Sequence, residues 1–473
     1  MIQFHRGQAL SLILVVIMVT ASIFLTPHMI VPDRSPIFTI AMILMPLLFL
    51  LALLNTNFAI IMLIFSMLLS PEYILGGITG RNIMIRLDDI IILMVFCGWM
   101  LKMAIHQDLG LTRISSLNKP IGAYILMCVF SSAWGAVAGT TNFLQSTFYV
   151  LKYVEYFMIF FMISNNIEDI PQIKRFIKYI LATAVIVNIY ALYSHFSLGL
   201  RATAPFEGKS GEANTLAGYL LIIMSITLSF MLYTKVKKAY FVYLGIFILS
   251  FTVFLYTLSR SGWLGFIPMF AVFLFMAKRN RSTLIIIACI FAMAGPIIIP
   301  KIVEKRIKET FIGEKIKIGN RTITIDESTM DRVRAIKRAA KIWKEHPYIG
   351  HGVPAGWNIV DVQYARVLHE VGAIGLIIFL WLITTVFRIS LTALRNDDID
   401  EFGKSIALAH CAALAGMTMM CWGAEVFIII RIMEPFWFIT AIVAVLPKLY
   451  AKTNDIKINQ PITHNKEIQL EGT

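Results

Sequence analysis

Charge is scarce in this chain. Of its 473 residues only 15% are Asp, Glu, Lys or Arg, against roughly 25% in soluble domains. Hydrophobic residues make up 58%, and together the two figures exclude a soluble globule. Cysteine is sparse as well: Cys97, Cys128, Cys289, Cys411 and Cys421 all lie inside apolar runs, with no CxxC pair and no His/Cys cluster of zinc type. They read as small core residues and say nothing about redox compartment. Familiar catalytic signatures are missing too. There is no GxSxG, no Walker loop and no Asp-rich metal motif, and His369-Glu370 lacks the second His of an HExxH. ATP hydrolysis and metal-assisted transfer are disfavoured, and no cofactor is expected.

What the chain has in abundance is apolar sequence in long blocks. A helix needs about 20 such residues to cross a bilayer, so about 14 blocks would use about 280 residues and leave one sizeable insert. The first, Ala9 to Thr26, is too long for a signal-peptide core, lacks a small-x-small cleavage site and is followed at once by another span. Further blocks are predicted at 36–53, 57–70, 88–105, 120–138, 143–164, 177–196, 214–233, 239–257, 262–277, 283–299, 367–389, 403–425 and 433–450. The fold class expected is therefore all-α: a polytopic integral membrane protein of about 14 transmembrane helices.

The net charge of +14, from 42 Lys+Arg against 28 Asp+Glu, has a topological explanation. Basic residues collect in cytoplasmic loops, and alternate predicted loops here are basic: Lys102, Arg113 and Lys119; Lys174, Arg175 and Lys178; Lys235, Lys237 and Lys238; Lys278, Arg279 and Arg281; Arg388, Arg395 and Lys404. Both termini are expected inside, and nucleic acid is not an expected partner. The division expected is helices 1–11 in residues 1–300, an extracytoplasmic loop in 301–366, helices 12–14 in 367–450 and a disordered cytoplasmic tail in 451–473.

The outer loop breaks the charge pattern. From Lys301 to Lys344 it holds thirteen Lys/Arg against six Asp/Glu. Long loops cross the membrane largely regardless of charge, so topology does not account for this excess, which suits an anionic ligand or, alternatively, anionic lipid heads. Within it Ser328-Thr-Met-Asp331 reads as a capping box, and Val333, Ile336, Ala340 and Trp343 as the apolar stripe of an amphipathic helix lying on the membrane surface and ending near His346-Pro347.

Ionisable groups gather near the predicted outer ends of the helices. They are Arg81, Arg86, Asp88 and Asp89; Arg201, Glu207 and Lys209; Arg260; Arg366, His369 and Glu370; Glu425, Arg431 and Glu434. Groups at that depth pair with one another or line a functional cavity. Lys152 and Glu155, three residues apart on one helix face, read as a self-neutralising pair. The Asp397-Asp398 pair reads as a solvated charge run.

Thr257-Leu-Ser-Arg-Ser-Gly-Trp263 is an extracytoplasmic turn followed by the long outer loop. Three further segments accompany it: Arg201 through Pro205-Phe206 to Asn214-Thr-Leu-Ala-Gly-Tyr219; Arg332 through Trp343 to His346-Pro-Tyr-Ile-Gly-His-Gly352; and Asp361-Val-Gln-Tyr364 through Glu370-Val-Gly372 to Gly375-Leu. Weaker echoes are Arg86-Leu-Asp88-Asp89 and Leu151-Lys-Tyr-Val-Glu155. In order and spacing these resemble the O-antigen ligase and polysaccharide polymerase family of bacterial membrane glycosyltransferases, over about residues 80 to 390.

The resemblance implies transfer of a glycan from a polyprenyl pyrophosphate carrier to a sugar hydroxyl at the outer face of the inner membrane. The partners it implies are that lipid-linked oligosaccharide, the bilayer and other polysaccharide assembly proteins. Pyrophosphate leaves with added negative charge, which fixed guanidinium groups stabilise without a metal. On this reading Arg260 and Arg201 are the first choices for that task, with Arg332, Arg338, Lys209, Tyr364 and Arg366 as substrate contacts. An acceptor hydroxyl needs a group to take its proton. Ligases carry a His about eleven residues before the first Gly of the Gly-x-x-Gly segment, where this chain has Asp361; an acidic residue there is nearer to polymerases, and His369 ranks second as base. The Gly372-Ala-Ile-Gly375 step is expected to serve close helix packing. A flippase of lipid-linked saccharides is the rival class, but two similar halves would be expected of it and none are visible.

Overall fold

The computed structural model describes residues 55–78, 81–105, 115–199, 201–206, 211–277, 300–309, 314–318, 321–358 and 361–459, with 282, 284, 285 and 312. The predicted spans at 9–26 and 36–53, nearly all of 283–299, and the tail from 460 onward lie outside these residues.

In chain order the elements are α1 (Thr56–Leu69), the hairpin β1 (Glu72–Ile78) and β2 (Arg81–Arg86), α2 (Leu87–Ile105), α3 (Asn118–Val137), α4 (Phe143–Asn166), α5 (Ile170–Leu198), α6 (Ala213–Tyr233), α7 (Lys237–Tyr256) and α8 (Arg260–Met276). The insert follows, with α9 (Lys301–Glu309), the hairpin β3 (Glu314–Ile318) and β4 (Arg321–Ile325), α10 (Glu327–Trp343) and a 3-10 turn (Ala355–Asn358). The chain then continues through α11 (Gln363–Arg395), α12 (Glu401–Met420) and α13 (Ile430–Asn459). Among the described residues seven helices, α3, α4, α5, α6, α7, α11 and α13, are long and apolar enough to cross a membrane, while α1 and α8 are apolar but shorter.

The described residues are overwhelmingly helical, as the all-α class expects, with two short hairpins beside the helices. Each of the two hairpins is a two-stranded antiparallel ladder, pairing Glu72 with Arg86 in one and Glu314 with Ile325 in the other. Two further boundaries move. Helix α5 begins at Ile170 rather than 177, because the Asp169 side chain accepts from Gln172 N, Pro171 sits in the first turn, and Gly199 closes the far end in the left-handed region at φ 65°. Helix α13 runs nine residues past 450 to Asn459, so the first part of the expected disordered tail is helical.

At the centre stands α6, entirely surrounded by protein. Helices α8 and α12 press against each other through glycine: a Cβ on Gly265 would lie 2.6 Å from the Gly416 carbonyl oxygen, and one on Gly416 would lie 2.9 Å from that of Gly265. Backbones this close replace large side-chain contacts with short-range dispersion, the usual solution where lipid removes the hydrophobic drive between helices. Peripheral helix α7 keeps Phe241, Val242 and Ile248 exposed, as a lipid-facing surface does.

Helices α6, α8, α11 and α13 begin at the same face where α5, α7 and α12 end. That face carries the insert and every candidate site residue the structure describes.

Candidate functional site

The Thr257–Trp263 motif builds a platform for one arginine. Ser259 caps α8 by accepting from Gly262 N at 3.2 Å, and its hydroxyl donates to Asn214 Oδ1 at 2.6 Å. The turn that starts α8 is thereby tied to the start of α6. Leu258, one residue earlier, is held at φ 53°, a conformation costing a bulky side chain about 1–2 kcal/mol, and the cap bonds around it over-determine the turn. Arg260 is thus the first residue of a helix whose position is set from two sides.

The segment from Arg201 docks onto the same turn. Ala202 N donates to Tyr256 O at 3.1 Å, and Arg201 Nε donates to Thr257 O at 2.8 Å. From the insert, Asp326 supplies both the N-cap of α10 and the partner of Arg260: it accepts from Thr329 N at 3.2 Å and pairs with Arg260 at 2.7 Å. Burial alone would raise the Asp326 pKa, but the bonds from Arg260 and Thr329 outweigh it and hold the carboxyl at about 2. The helix therefore starts two residues before the Ser328 predicted as its cap.

One turn into α10, Arg332 pairs with Asp361 at 3.4 Å. A Cβ on Gly423, in the turn after α12, would lie only 3.0 Å from Ser261 Cβ and in ordinary contact, 3.5 Å, with Arg332 Nε, so this turn packs closely on the start of α8 with the guanidinium beside it. Arg332 Nε is buried and has no hydrogen-bond partner among the described residues, an orphaned donor that calls for an acceptor. Asp361 stands at φ 67° with its side chain 39% exposed. It is one of three non-glycine residues with positive φ among those described; the others are Leu258, in the turn before Arg260, and Phe206, whose carbonyl accepts from Arg431.

A fourth cation, Arg306 on α9, escaped the sequence reading. It pairs with Glu309 at 3.3 Å. Partial burial first, then the positive fields of Arg306, Arg260 and Arg332, push Arg201 below the ordinary arginine range. Among the described residues, four guanidiniums thus share one recess with the carboxylates of Asp326, Asp361 and Glu309, and Arg201 has no ion-pair partner there. Such a surplus of positive charge suits an anion. The signal for Arg306 in the sequence was the amphipathic spacing of Ile302, Val303, Arg306 and Ile307 within a charged run, of which Val303 is the buried member.

The other expected residues sit elsewhere. Arg338 is on the exposed face of α10, and Lys209 lies outside the described residues. Tyr364 packs: its hydroxyl donates to Thr418 O at 2.7 Å and its ring tilts against Trp422. Arg366 is buried between Glu370, at 2.9 Å, and Glu425, where its charge is neutralised. His369 is 5% exposed and stacks on His351 at 4.5 Å. Burial pushes His351 itself below the ordinary histidine range, with a bond to the His369 carbonyl opposing.

The surface-lying amphipathic helix also needs correcting. Helix α10 buries Met330, Ala335 and Ala339 rather than the predicted stripe, and Ala335 and Ala339 pack with Val362 and Ala365 at the start of α11. Ile336 is left 39% exposed. The His346–Gly352 motif closes a break in α11. Gly372 there has φ 68°, ψ −171°, and the strand-like segment beside it donates from His351 N to His369 O (3.0 Å) and from Gly352 N to Glu370 O (2.9 Å), while accepting at Pro347 O from Ala373 N (2.9 Å). A Cβ on Gly350 would lie 2.5 Å from Gly372 N, and one on Gly372 would lie 2.3 Å from Tyr348 O. The glycines serve this backbone crossing, with only Gly375 facing another helix, at Met127. Through it α10, the 3-10 turn and Asp361 are held over the membrane end of α11.

Residues 245–380 match the protein-family model described as O-antigen ligase. The matched stretch runs from α7 through the insert into α11 and contains Arg260, Arg306, Arg332 and Asp361, and it supports membership of the O-antigen ligase family and a glycosyltransferase of ligase or polymerase type in the membrane. None of the curated proteins compared with the chain matches it.

Proposed function

We propose that the chain is a polysaccharide polymerase that transfers a glycan from a polyprenyl pyrophosphate carrier to a sugar hydroxyl of a lipid-linked acceptor at the outer face of the bacterial inner membrane, with both termini cytoplasmic. The observation that carries the reading is the surplus of guanidinium charge over carboxylate at one membrane face, fixed by caps and ion pairs before any substrate arrives. In a site partly closed to water, preorganised positive charge stabilises negative charge developing on a leaving pyrophosphate without reorganisation. Arg201 and Arg260, in contact with the same turn, bind the two phosphates; Arg332, with its unused Nε donor, adds a third contact, and Arg306 adds field.

Asp361 accepts the proton of the attacking sugar hydroxyl as the anomeric carbon–oxygen bond to phosphate breaks. Its exposure gives an acceptor access, and Arg332 orients the carboxylate. Positioning of the hydroxyl by a hydrogen bond is part of its task. Asp361 at the place where ligases carry histidine favours polymerase over ligase; transfer to lipid A core is the second reading, supported by the family match.

Purified protein supplied with lipid-linked repeat units should lengthen the glycan. Transfer to lipid A core in its place would assign a ligase, and neither product would return the flippase reading. For topology, Lys344→Cys and Lys237→Cys in a background without native cysteines should differ: the first is labelled by an impermeant thiol reagent added outside, the second is not. Labelling at position 237 alone would invert the orientation.

A further inference from the structure

The end of the molecule away from the arginine recess holds a cavity of about 400 Å³ between α11 and α13, closed at one side by Ser115 and Ser116 ahead of α3. Arg388 lines it near the end of α11 opposite to Asp361, 15 residues beyond Ala373, where the helix resumes after its break, and so about 22 Å further along the axis at 1.5 Å per residue. The cavity and the recess therefore belong to opposite membrane faces. Trp381, Thr385, Arg388 and Thr392 follow at spacings of four, three and four, which places them on one stripe of α11 facing the cavity.

The wall is graded. Ser116, Thr392 and Arg388 lie toward the helix ends, whereas Trp381 and Ala444 lie deeper along α11 and α13. Arg388 is exposed and, among the described residues, makes no hydrogen bond or ion pair. A free inorganic anion would use only the outer, polar end. A molecule with an anionic phosphate and acyl chains fills both, the phosphate at Arg388 and the hydroxyls and a chain along Trp381.

We propose that this cavity is a binding site for an anionic phospholipid of the leaflet opposite the arginine recess. Basic pockets between transmembrane helices hold such head groups by charge while the chains satisfy the apolar wall. The site lies outside the proposed transfer chemistry and does not depend on it.

Native mass spectrometry of the full chain, released from bilayers of equal phosphatidylglycerol and phosphatidylcholine, reads the occupancy. Retained phosphatidylglycerol is expected to exceed phosphatidylcholine, and Arg388→Gln should lower it about fivefold. Ala444→Phe, which fills the cavity and leaves the charge, should lower retention of both lipids. Lys237→Gln, an exposed lysine on the same face outside the cavity, should change nothing. Retention unaltered by Arg388→Gln, or lowered equally by Lys237→Gln, would overturn the proposal; so would displacement of the lipid by excess inorganic phosphate, which would make this a site for free phosphate.

Discussion

Two ionic regions of this protein are built from the same residue types and come to opposite balances. Beneath the site, Arg86 pairs with Asp88 and Glu434, Lys152 with Asp89 and Glu155, Arg366 with Glu370 and Glu425, and Arg431 with Glu72. Four cations there meet seven carboxylates, and the arginines are nearly enclosed; Arg431 also bonds the carbonyls of Ser70, Pro205 and Phe206. At the recess, Arg201, Arg260, Arg306 and Arg332 meet three carboxylates, with the Arg332 Nε donor unused. Cations saturated by carboxylates hold helices in register, whereas cations in surplus are, in the function proposed, the ones that take a ligand. Charge at membrane depth is therefore not in itself the mark of a site; the balance and the access are.

The comparison is broken most severely by opening a saturated pair. Arg366→Ala takes a partner from the buried Glu370 and from the partly buried Glu425, and a loss of about 3–5 kcal/mol of stability is expected, read as a fall in thermal midpoint and in folded yield. A protein of unchanged midpoint would mean that water reaches these groups.

At the recess the effect should fall on turnover instead. Asp361→Asn keeps the shape but cannot take a proton, so turnover should drop about 100-fold while donor binding changes little. His369→Gln, buried against His351, should cost little turnover. A dead His369 variant beside an active Asp361 variant would move the chemistry to the histidine.

A smaller effect is expected from Gly372→Ala. Positive φ costs an L-residue about 1–2 kcal/mol, and the added methyl meets the Tyr348 carbonyl, so stability should fall by that much or more and activity with it as the insert loses its seat. Normal stability would show that the α11 break tolerates another path.

The smallest concerns pH. Asp326 has a folded pKa of about 2, below its unfolded value of about 3.9. Its contribution is present above about pH 4 and is lost as pH falls through about 2. Between pH 5 and 8 the Arg260–Asp326 pair should hold unchanged, and Asp326→Asn should remove the acid-side loss it causes. A change in that pair near neutrality would contradict the assignment.

Much of the helical framework was legible because apolar blocks of membrane length have few alternatives; α3, α4, α6, α7 and α8 all lie within a few residues of their predicted spans. Of the recess, Arg201, Arg260, Arg332 and Asp361 were named through motif order, and the fold brings them together. What the sequence hid is pairing across distance. Nothing local to Asp326 reveals that one carboxylate both caps α10 and holds Arg260. Arg366 carries the same charge as Arg332, and only the fold decides that Glu370 and Glu425 enclose it. The hairpins were missed because strands of five to seven residues next to long apolar helices leave little periodic signal.

The account stands or falls on the difference between a saturated and a surplus arginine. The direct measurement is turnover and thermal midpoint, taken together on purified Arg260→Lys and Arg366→Lys with lipid-linked repeat units as substrate. Lysine keeps the charge and removes the planar fork. Arg260→Lys should lose about 10- to 100-fold in transfer with an unchanged midpoint, and Arg366→Lys should lose midpoint first. Near-normal transfer by Arg260→Lys, or a lowered midpoint with no kinetic change, would contradict the claim that the recess at the start of α8 is where the glycan is transferred.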